Sequence, residues 1–285
     1  MELGSVMPDK KTIRAKPESL SSVLVNSFRN RKKRPTGSDP CGENGFPVIA
    51  SYNVHKCVGR DRKFDPDRTS HVIQEIGADI IALQEADSRF GERTGLLDLI
   101  RLERECGLSP VPVAAGTKAH GWHGNVVLFK EGAVRDVHPL KLPGLEPRGA
   151  LVVELELKQG GTLRIIAAHF GLLRHSRAQQ AKALVELLDE RDKQPTILLG
   201  DLNEWRLGNG SSLNTFRDAF GTLPPAVPSF PAGMPVLALD RIISNRTGLI
   251  DNVTAHNSAL SRVASDHLPL KATVRTDILT HEPAA

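Results

Sequence analysis

T-I-L-L-G-D-L-N, residues Thr196 to Asn203, is the stretch from which the fold follows. Its apolar run stops at Gly200 and delivers Asp201 and Asn203, two residues apart and so on one side of an extended backbone, at the carboxyl end of a buried strand. Such an end presents polar side chains to a cleft. The same event recurs along the chain. Pro47 to His55 (P-V-I-A-S-Y-N-V-H) ends on Asn53 and His55, Asp79 to Glu85 ends on Glu85, and Leu163 to His169 ends on His169. Leu239 to Ser244 carries Asp240, and Ser265-Asp266-His267 precedes the apolar run Leu268 to Val274. Six strand edges thus offer carboxylates, amides and imidazoles to what can be a single site.

The segments between them read as helices and hairpins. Asp65-Pro66 opens a helix towards Gly77, Leu96 to Cys106 forms another closed by Gly107, and Arg177 to Asp192 forms a long one capped by Ser176, with Ala181, Leu184, Val185 and Leu188 on one face. Gly124 to Lys130, Val134 to Leu140 and Gly149 to Lys158 read as strands of the antiparallel type, and Leu151, Val153, Leu155 and Leu157 alternate with polar positions. Strand–helix–strand alternation with inserted hairpins predicts a layered α/β protein whose sheets are mixed. Arg148, in the turn Glu146-Pro147-Arg148-Gly149, stands just ahead of a strand, where a guanidinium can clamp a phosphate bidentately. The Pro-rich stretch Phe216 to Pro235 reads as irregular cleft wall.

With 285 residues and 40% hydrophobic content the chain accommodates one large domain, placed at residues 47–276, with a basic, disordered extension at 1–46 and a short tail at 277–285. The net charge of +4 sits entirely in that extension, which holds nine bases and five acids; the remainder is formally neutral. A neutral body argues against tight nonspecific duplex binding, which needs many clustered basic contacts. Three cysteines without a C-x-x-C pair suggest neither a disulfide framework nor a zinc site, so a cytoplasmic location is expected. No apolar run is long enough to span a membrane. Within the extension, Leu20, Val23, Leu24 and Phe28 fall on one helical face ahead of R-N-R-K-K-R at Arg29 to Arg34, an arrangement that can touch anionic surfaces.

Asn53, Glu85, His169, the G-D-L-N of Gly200 to Asn203, the L-D-R-I of Leu239 to Ile242 and the S-D-H-L-P-L of Ser265 to Leu270 occur in the order and approximate spacing of the endonuclease/exonuclease/phosphatase superfamily. The resemblance covers residues 47 to 274 and is carried by the set, since any one motif is common. It implies a four-layered α/β sandwich, two mixed β-sheets face to face with helices outside, that hydrolyses phosphoesters with a divalent metal. The residue chemistry agrees: a carboxylate with an amide makes a hard oxygen site suited to Mg²⁺ or Mn²⁺.

By similarity to that family, Glu85 and Asn53 hold the metal, with Asp266 beside it as a further ligand. His267 acts as general base or as an imidazolium facing the phosphate, with Asp240 fixing its tautomer. Asp201 orients or deprotonates the attacking water, Asn203 hydrogen-bonds a phosphoryl oxygen, His169 binds phosphate or protonates the leaving oxygen, and Arg148 clamps the phosphate. Abasic-site endonucleases of the superfamily commonly carry Tyr at the place of His169 and Asp at that of His55. The chain in this respect resembles the nuclease-I-like, sphingomyelinase-like and inositol-phosphatase-like branches. The expected activity is a phosphodiesterase acting on nucleic acid, phospholipid or a small phosphodiester; a phosphomonoesterase with the same site and a non-catalytic binding protein are the alternatives. A cleft lined by Arg60, Arg62, Lys63 and Arg148 would point to an extended anionic polymer, and an apolar rim around Trp122, Trp205 and Phe230 to lipid.

Overall fold

A computed structural model describes residues 45–279 apart from 89–90, 115–117, 159 and 207. The sequence reading of residues 1–46 as a basic extension lies, up to residue 44, outside the described residues. In chain order the strands are β1 (Val48–Asn53), β2 (Ile80–Gln84), β3 (Ser109–Pro110), β4 (Val126–Phe129), β5 (Ala133–Lys141) and β6 (Gly149–Glu156). Then follow β7 (Thr162–His169), β8 (Thr196–Asp201), β9 (Asp240–Ser244), β10 (Ile250–Ala255) and β11 (Leu270–Val274). They form a six-stranded sheet in the order β10-β11-β1-β2-β4-β3 and a five-stranded sheet in the order β5-β6-β7-β8-β9. Both are mixed: β1–β2 and β7–β8 pair in parallel, and the other pairs are antiparallel.

Strand alternation sorts the side chains into layers. On the first sheet Ala50, Tyr52, Ile81 and Leu83 point outward into a core shared with Val72, Ile73 and Ile76 of helix α1 (Pro66–Ile76) and Leu102 of helix α2 (Leu99–Cys106). On the second, Val152, Ile166, Ala168, Leu198 and Ile243 meet Ala181 and Leu184 of helix α3 (Arg174–Asp189). The opposite parity of each sheet faces the other sheet: β1 packs on β8 and β9, and β2 on β7 and β8. The result is the expected four-layered sandwich, helix–sheet–sheet–helix. Asn53 and Asp201 are both on the inward parity, and they meet across the two sheets.

Local chemistry explains the helix ends. Asp65 accepts from the Arg68 N–H at 2.9 Å, Pro66 opens α1 where no donor is needed, and Gly77 closes it at φ +66°. Helix α3 departs from the sequence reading. It begins at Arg174 with Leu173 as its uncapped N-terminal residue, and Ser176 lies inside the first turn, buried near Gly144, rather than acting as the cap. Three site positions also differ from simple strand ends, Glu85 among them at φ +54° just beyond β2. His55 starts a 3₁₀ turn, His55–Cys57, at φ +45°, and Asn203 lies beyond β8 at φ +51°, so neither continues an extended backbone.

Candidate active site

Register places the first three groups. His169 on β7 pairs with Asp201 on β8, and Asp201 pairs with Asp240 on β9, so the three stand in a row at one end of the second sheet. All are 3% exposed or less. His169 Nε2 lies 3.4 Å from Asp201 Oδ2. From the facing sheet Asn53 Nδ2 donates to the same Oδ2 at 3.0 Å, while its Oδ1 accepts from the His55 N–H at 3.0 Å.

His267 arrives on the loop before β11. Its Nδ1 donates to Asp240 Oδ2 at 2.8 Å, which turns Nε2 towards Asp201 Oδ2, 3.8 Å away. Ser229 Oγ donates to the same Asp240 oxygen at 2.5 Å, and Phe230 packs its ring 4.9 Å from the imidazole. The loop is pinned by Ser265, whose Oγ donates to the Asn53 carbonyl at 2.7 Å and accepts from the His267 N–H at 3.2 Å. Asn203 donates its N–H to Asp201 Oδ1 and one amide hydrogen to the Phe170 carbonyl, both at 3.0 Å.

On the other flank, Glu85 follows β2 at φ +54° and lies 4.0 Å from His169 Nε2. Arg148 pairs with Glu146 at 2.9 Å and brings Nη1 within 2.9 Å of both ring nitrogens of His169. Asp266 is a third exposed, with His55 Nδ1 at 3.7 Å.

The structure therefore gathers Asn53, Glu85, Arg148, His169, Asp201, Asn203, Asp266 and His267 around one open cleft of about 580 Å³, with Asp240 directly behind His267. Lys56 also lines that cleft, its Nζ 2.7 Å from Glu85 Oε2, and sequence reasoning missed it. The lysine adjoins the Asn53-Val54-His55 motif, but only the left-handed φ of +55° at Lys56 turns it back onto Glu85. Ser229 was missed for a similar reason, since it lies in the Pro-rich wall where no strand pattern marks it. Of the residues chosen to distinguish substrates, Arg148, Trp205 and Phe230 line the cleft; Arg60, Arg62, Lys63 and Trp122 do not. Trp122 instead donates Nε1–H to the Leu140 carbonyl at 3.0 Å. A second hollow of about 700 Å³, lined by Arg206, Arg217 and Arg241, holds no carboxylate or imidazole and so lacks the groups for proton transfer.

Electrostatics divide the labour. Burial pulls the His267 imidazolium down, but Asp240 and Asp201 outweigh it and hold the ring protonated up to about 10. Burial pushes Asp201 up to about 6, with His267 opposing and Asp240 reinforcing. Glu85 stays low: burial would raise it, and Lys56 more than compensates. Asp201, Asp240 and His267 approach closely enough to surround an ion, their ligand atoms lying within 4.8 Å. Their internal hydrogen bond, however, commits His267 Nδ1 to Asp240. Glu85, Asn53 and Asp266 would offer oxygens to an ion, Asn53 the amide oxygen that also accepts from the His55 N–H. Glu85 Oε2 is a buried carboxylate oxygen ion-paired with the Lys56 ammonium at 2.7 Å, so this corner already holds a cation and its oxygen fits a hard divalent ion.

Residues 50–267 match the Endonuclease/Exonuclease/phosphatase family. The chain is 28% identical over 258 residues to the uncharacterized protein YbhP of Escherichia coli (strain K12), covering 83% of this chain and 98% of that protein. Among solved structures, the mannosyl-6-phosphatase Bt3783 of Bacteroides thetaiotaomicron superposes with a TM-score of 0.58 at 15% identity, over 80% of this chain and 99% of that one. D. rerio TDP2 complexed with single strand DNA product superposes with a TM-score of 0.57 at 14% identity, over 80% and 98%. At such identities these structures share the fold.

Proposed function

The chain belongs to the endonuclease/exonuclease/phosphatase family, hydrolases of phosphoesters, and on that premise we propose that it is a divalent-metal-dependent phosphodiesterase. The observation that carries the reading is the buried Asp240–His267 pair aimed at Asp201. An imidazolium held by Asp240 and a neighbouring carboxylate of raised affinity for protons, Asp201, stand together at the place where a phosphoryl group would react.

In this reading His267 remains the imidazolium, and its Nε2–H faces a phosphoryl oxygen; of the two roles expected from sequence, its protonation favours this one over general base. Asp201, whose burial makes it a stronger base than an exposed aspartate, orients and deprotonates the attacking water. The free amide hydrogen of Asn203 takes a second phosphoryl oxygen. His169, braced by Arg148, holds the phosphate or donates a proton to the leaving oxygen, and Arg148 adds positive charge beside it. Glu85, Asn53 and Asp266 would hold Mg²⁺ or Mn²⁺, which when bound supplies charge neutralisation at the phosphoryl group. Lys56 keeps the Glu85 carboxylate ionised.

A diester is favoured over a monoester because the cleft continues past the polar centre to Leu172, Leu173 and Trp205 on one side and Phe230, Leu237 and Leu239 on another, leaving walls for two esterified groups. The cytoplasmic location expected from cysteine usage is part of this proposal, and Cys57 and Cys106 are free thiols. His267→Ala should lower turnover of a phosphodiester by about 10²-fold or more with the fold intact, the scale of a positioned proton-carrying group. A folded variant of near-normal activity would remove His267 from the chemistry.

A further inference from the structure

Among the described residues the exposed large apolar side chains are Phe64, Ile100, Val263 and a group of six. Leu145, Leu172, Leu173, Trp205, Met234 and Val236 are 51–86% exposed, and they sit on four loops around the cleft mouth. Leu172, Leu173 and Trp205 line the cleft itself. Met234 and Val236 form the tip of a turn whose base, Phe230 bridged to Leu237, is the cleft's far wall.

The loops are held in place. The Leu172 N–H donates to Glu146 Oε1 at 2.7 Å, which ties the second loop to the one carrying Leu145. Gln180 Nε2 donates to the Pro143 carbonyl at 2.9 Å, and the Met234 and Val236 N–H groups donate to Pro231 and Phe230 at 3.0 and 2.9 Å. Fixed backbone with outward apolar side chains marks a docking surface rather than an unpacked core.

Charge identifies the occupant. Residues 171–175 and 231–239 contain no acid, Glu146 on the Leu145 loop is occupied by Arg148, and Glu204 beside Trp205 is fully buried against Ser212 and Arg177. Basic groups alternate with the apolar ones: Arg174, Arg206 stacked over Trp205 at 4.7 Å, and Arg60, whose guanidinium lies against Gly233. Four of the six apolar side chains are aliphatic and one is a thioether, which offer little to stacked bases, and three arginines are few for tracking a phosphate backbone. An apolar rim studded with guanidiniums suits an anionic lipid surface.

We propose that this rim seats the protein on the anionic lipid–water interface and presents the cleft to phosphodiesters of lipid headgroups. This rests on the phosphodiesterase reading for its substrate but not for its docking. The leucines enter the acyl boundary, Trp205 lies at headgroup depth, and the arginines contact lipid phosphates, each strengthening binding about fivefold.

The full chain, with its basic extension, is mixed with vesicles of phosphatidylcholine alone and of phosphatidylcholine mixed equally with phosphatidylglycerol. Binding is read by co-sedimentation and by tryptophan emission. The expected result is sedimentation with the mixed vesicles and a blue shift lost in Trp205→Phe. In Met234→Gln/Val236→Gln, which lies outside the cleft lining, affinity should fall by roughly tenfold, with hydrolysis of soluble bis-p-nitrophenyl phosphate unchanged. Binding that survives in this variant and in Leu172→Gln/Leu173→Gln would overturn the proposal by assigning it to the extension. Failure to bind either vesicle, or capture of a single-stranded oligonucleotide that the same substitutions abolish, would overturn it too. Vesicle binding without hydrolysis of any diester would sink the catalytic reading and leave the docking surface standing.

Discussion

Replacing Asp240 by asparagine removes one charge from a buried site while keeping the shape of the side chain. In the native protein His267 is 5% exposed and Asp240 1%, so solvent screens their interaction little. Burial alone would favour the neutral imidazole, yet the carboxylates carry its pKa from 6.5 to about 10. A folded-state pKa above the unfolded value means that the ion pair contributes its full stability below the unfolded pKa of 6.5 and loses it as pH rises through about 10. At neutral pH the contribution is on the order of 4 kcal/mol. Asp201 survives in the variant at 3.8 Å from Nε2 and retains part of it, so Asp240→Asn should cost about 2–3 kcal/mol. An amide hydrogen placed where Asp240 Oδ1 now has no hydrogen-bond partner adds about 1–3 kcal/mol. Turnover should fall by about 10²-fold, the scale given for His267→Ala, because the ring without Asp240 spends less of its time as the imidazolium whose Nε2–H faces the phosphoryl oxygen. The assay is denaturant unfolding of both proteins at several pH values, with ring-proton NMR of His267. Native stability should decline from neutral pH towards about pH 10, and the decline should be shallower in Asp240→Asn. An unchanged pH slope, or a native His267 that titrates near its ordinary value, would refute the reasoning.

Other expectations follow from the same geometry. Gly200→Ala should abolish soluble expression or cost more than about 3 kcal/mol in denaturant unfolding, because Gly200 sits at φ +146° and an added Cβ would stand 1.8 Å from the Ala168 carbonyl oxygen across the parallel pair. The pH profile of kcat/KM should be bell-shaped, rising as Asp201 loses its proton near its raised pKa and falling as His267 becomes neutral; the acidic limb should vanish in Asp201→Asn along with most activity. Glu85→Gln should abolish the rise in Tm produced by Mg²⁺ or Mn²⁺ in thermal denaturation, an outcome independent of turnover, while leaving the metal-free Tm within a few degrees.

The fold was legible because each strand that matters is short, apolar and terminated by a polar residue, a local pattern requiring no knowledge of pairing. Asn53, Glu85, His169 and Asp201 were visible this way, and they lie together because the two sheets bring the carboxyl-end edges of β1, β2, β7 and β8 to one mouth; Asp240 opens the antiparallel β9 and reaches the same edge from its amino end. Where backbone conformation departs from its local average, the reading failed. Helix α3 starts before Ser176 because that serine is buried beneath the Gly144 loop and its first turn needs no side-chain cap. Strand β10 escaped notice since a register shift between Asp251 and Thr254, with Asn252 at φ +52°, breaks its alternation. Lys56 reaches the site through a left-handed residue, which sequence periodicity does not encode, and Asn203, named from its motif, does so on a left-handed backbone rather than the extended one expected. Of the apolar rim the sequence offered Trp205 and Phe230; Leu172 and Met234 come from separate loops and join them only in three dimensions.

The central claim is that a cation held by Glu85 and the Asp201–His267 machinery together hydrolyse a phosphodiester. Hydrolysis of bis-p-nitrophenyl phosphate, beside the corresponding monoester, with Mg²⁺, with Mn²⁺ and with EDTA, tests it most directly when Glu85→Ala is run in parallel. Metal-dependent cleavage of the diester, faster than that of the monoester and lost both in EDTA and in Glu85→Ala, is the expected result. Cleavage that is indifferent to EDTA and survives in Glu85→Ala would contradict it.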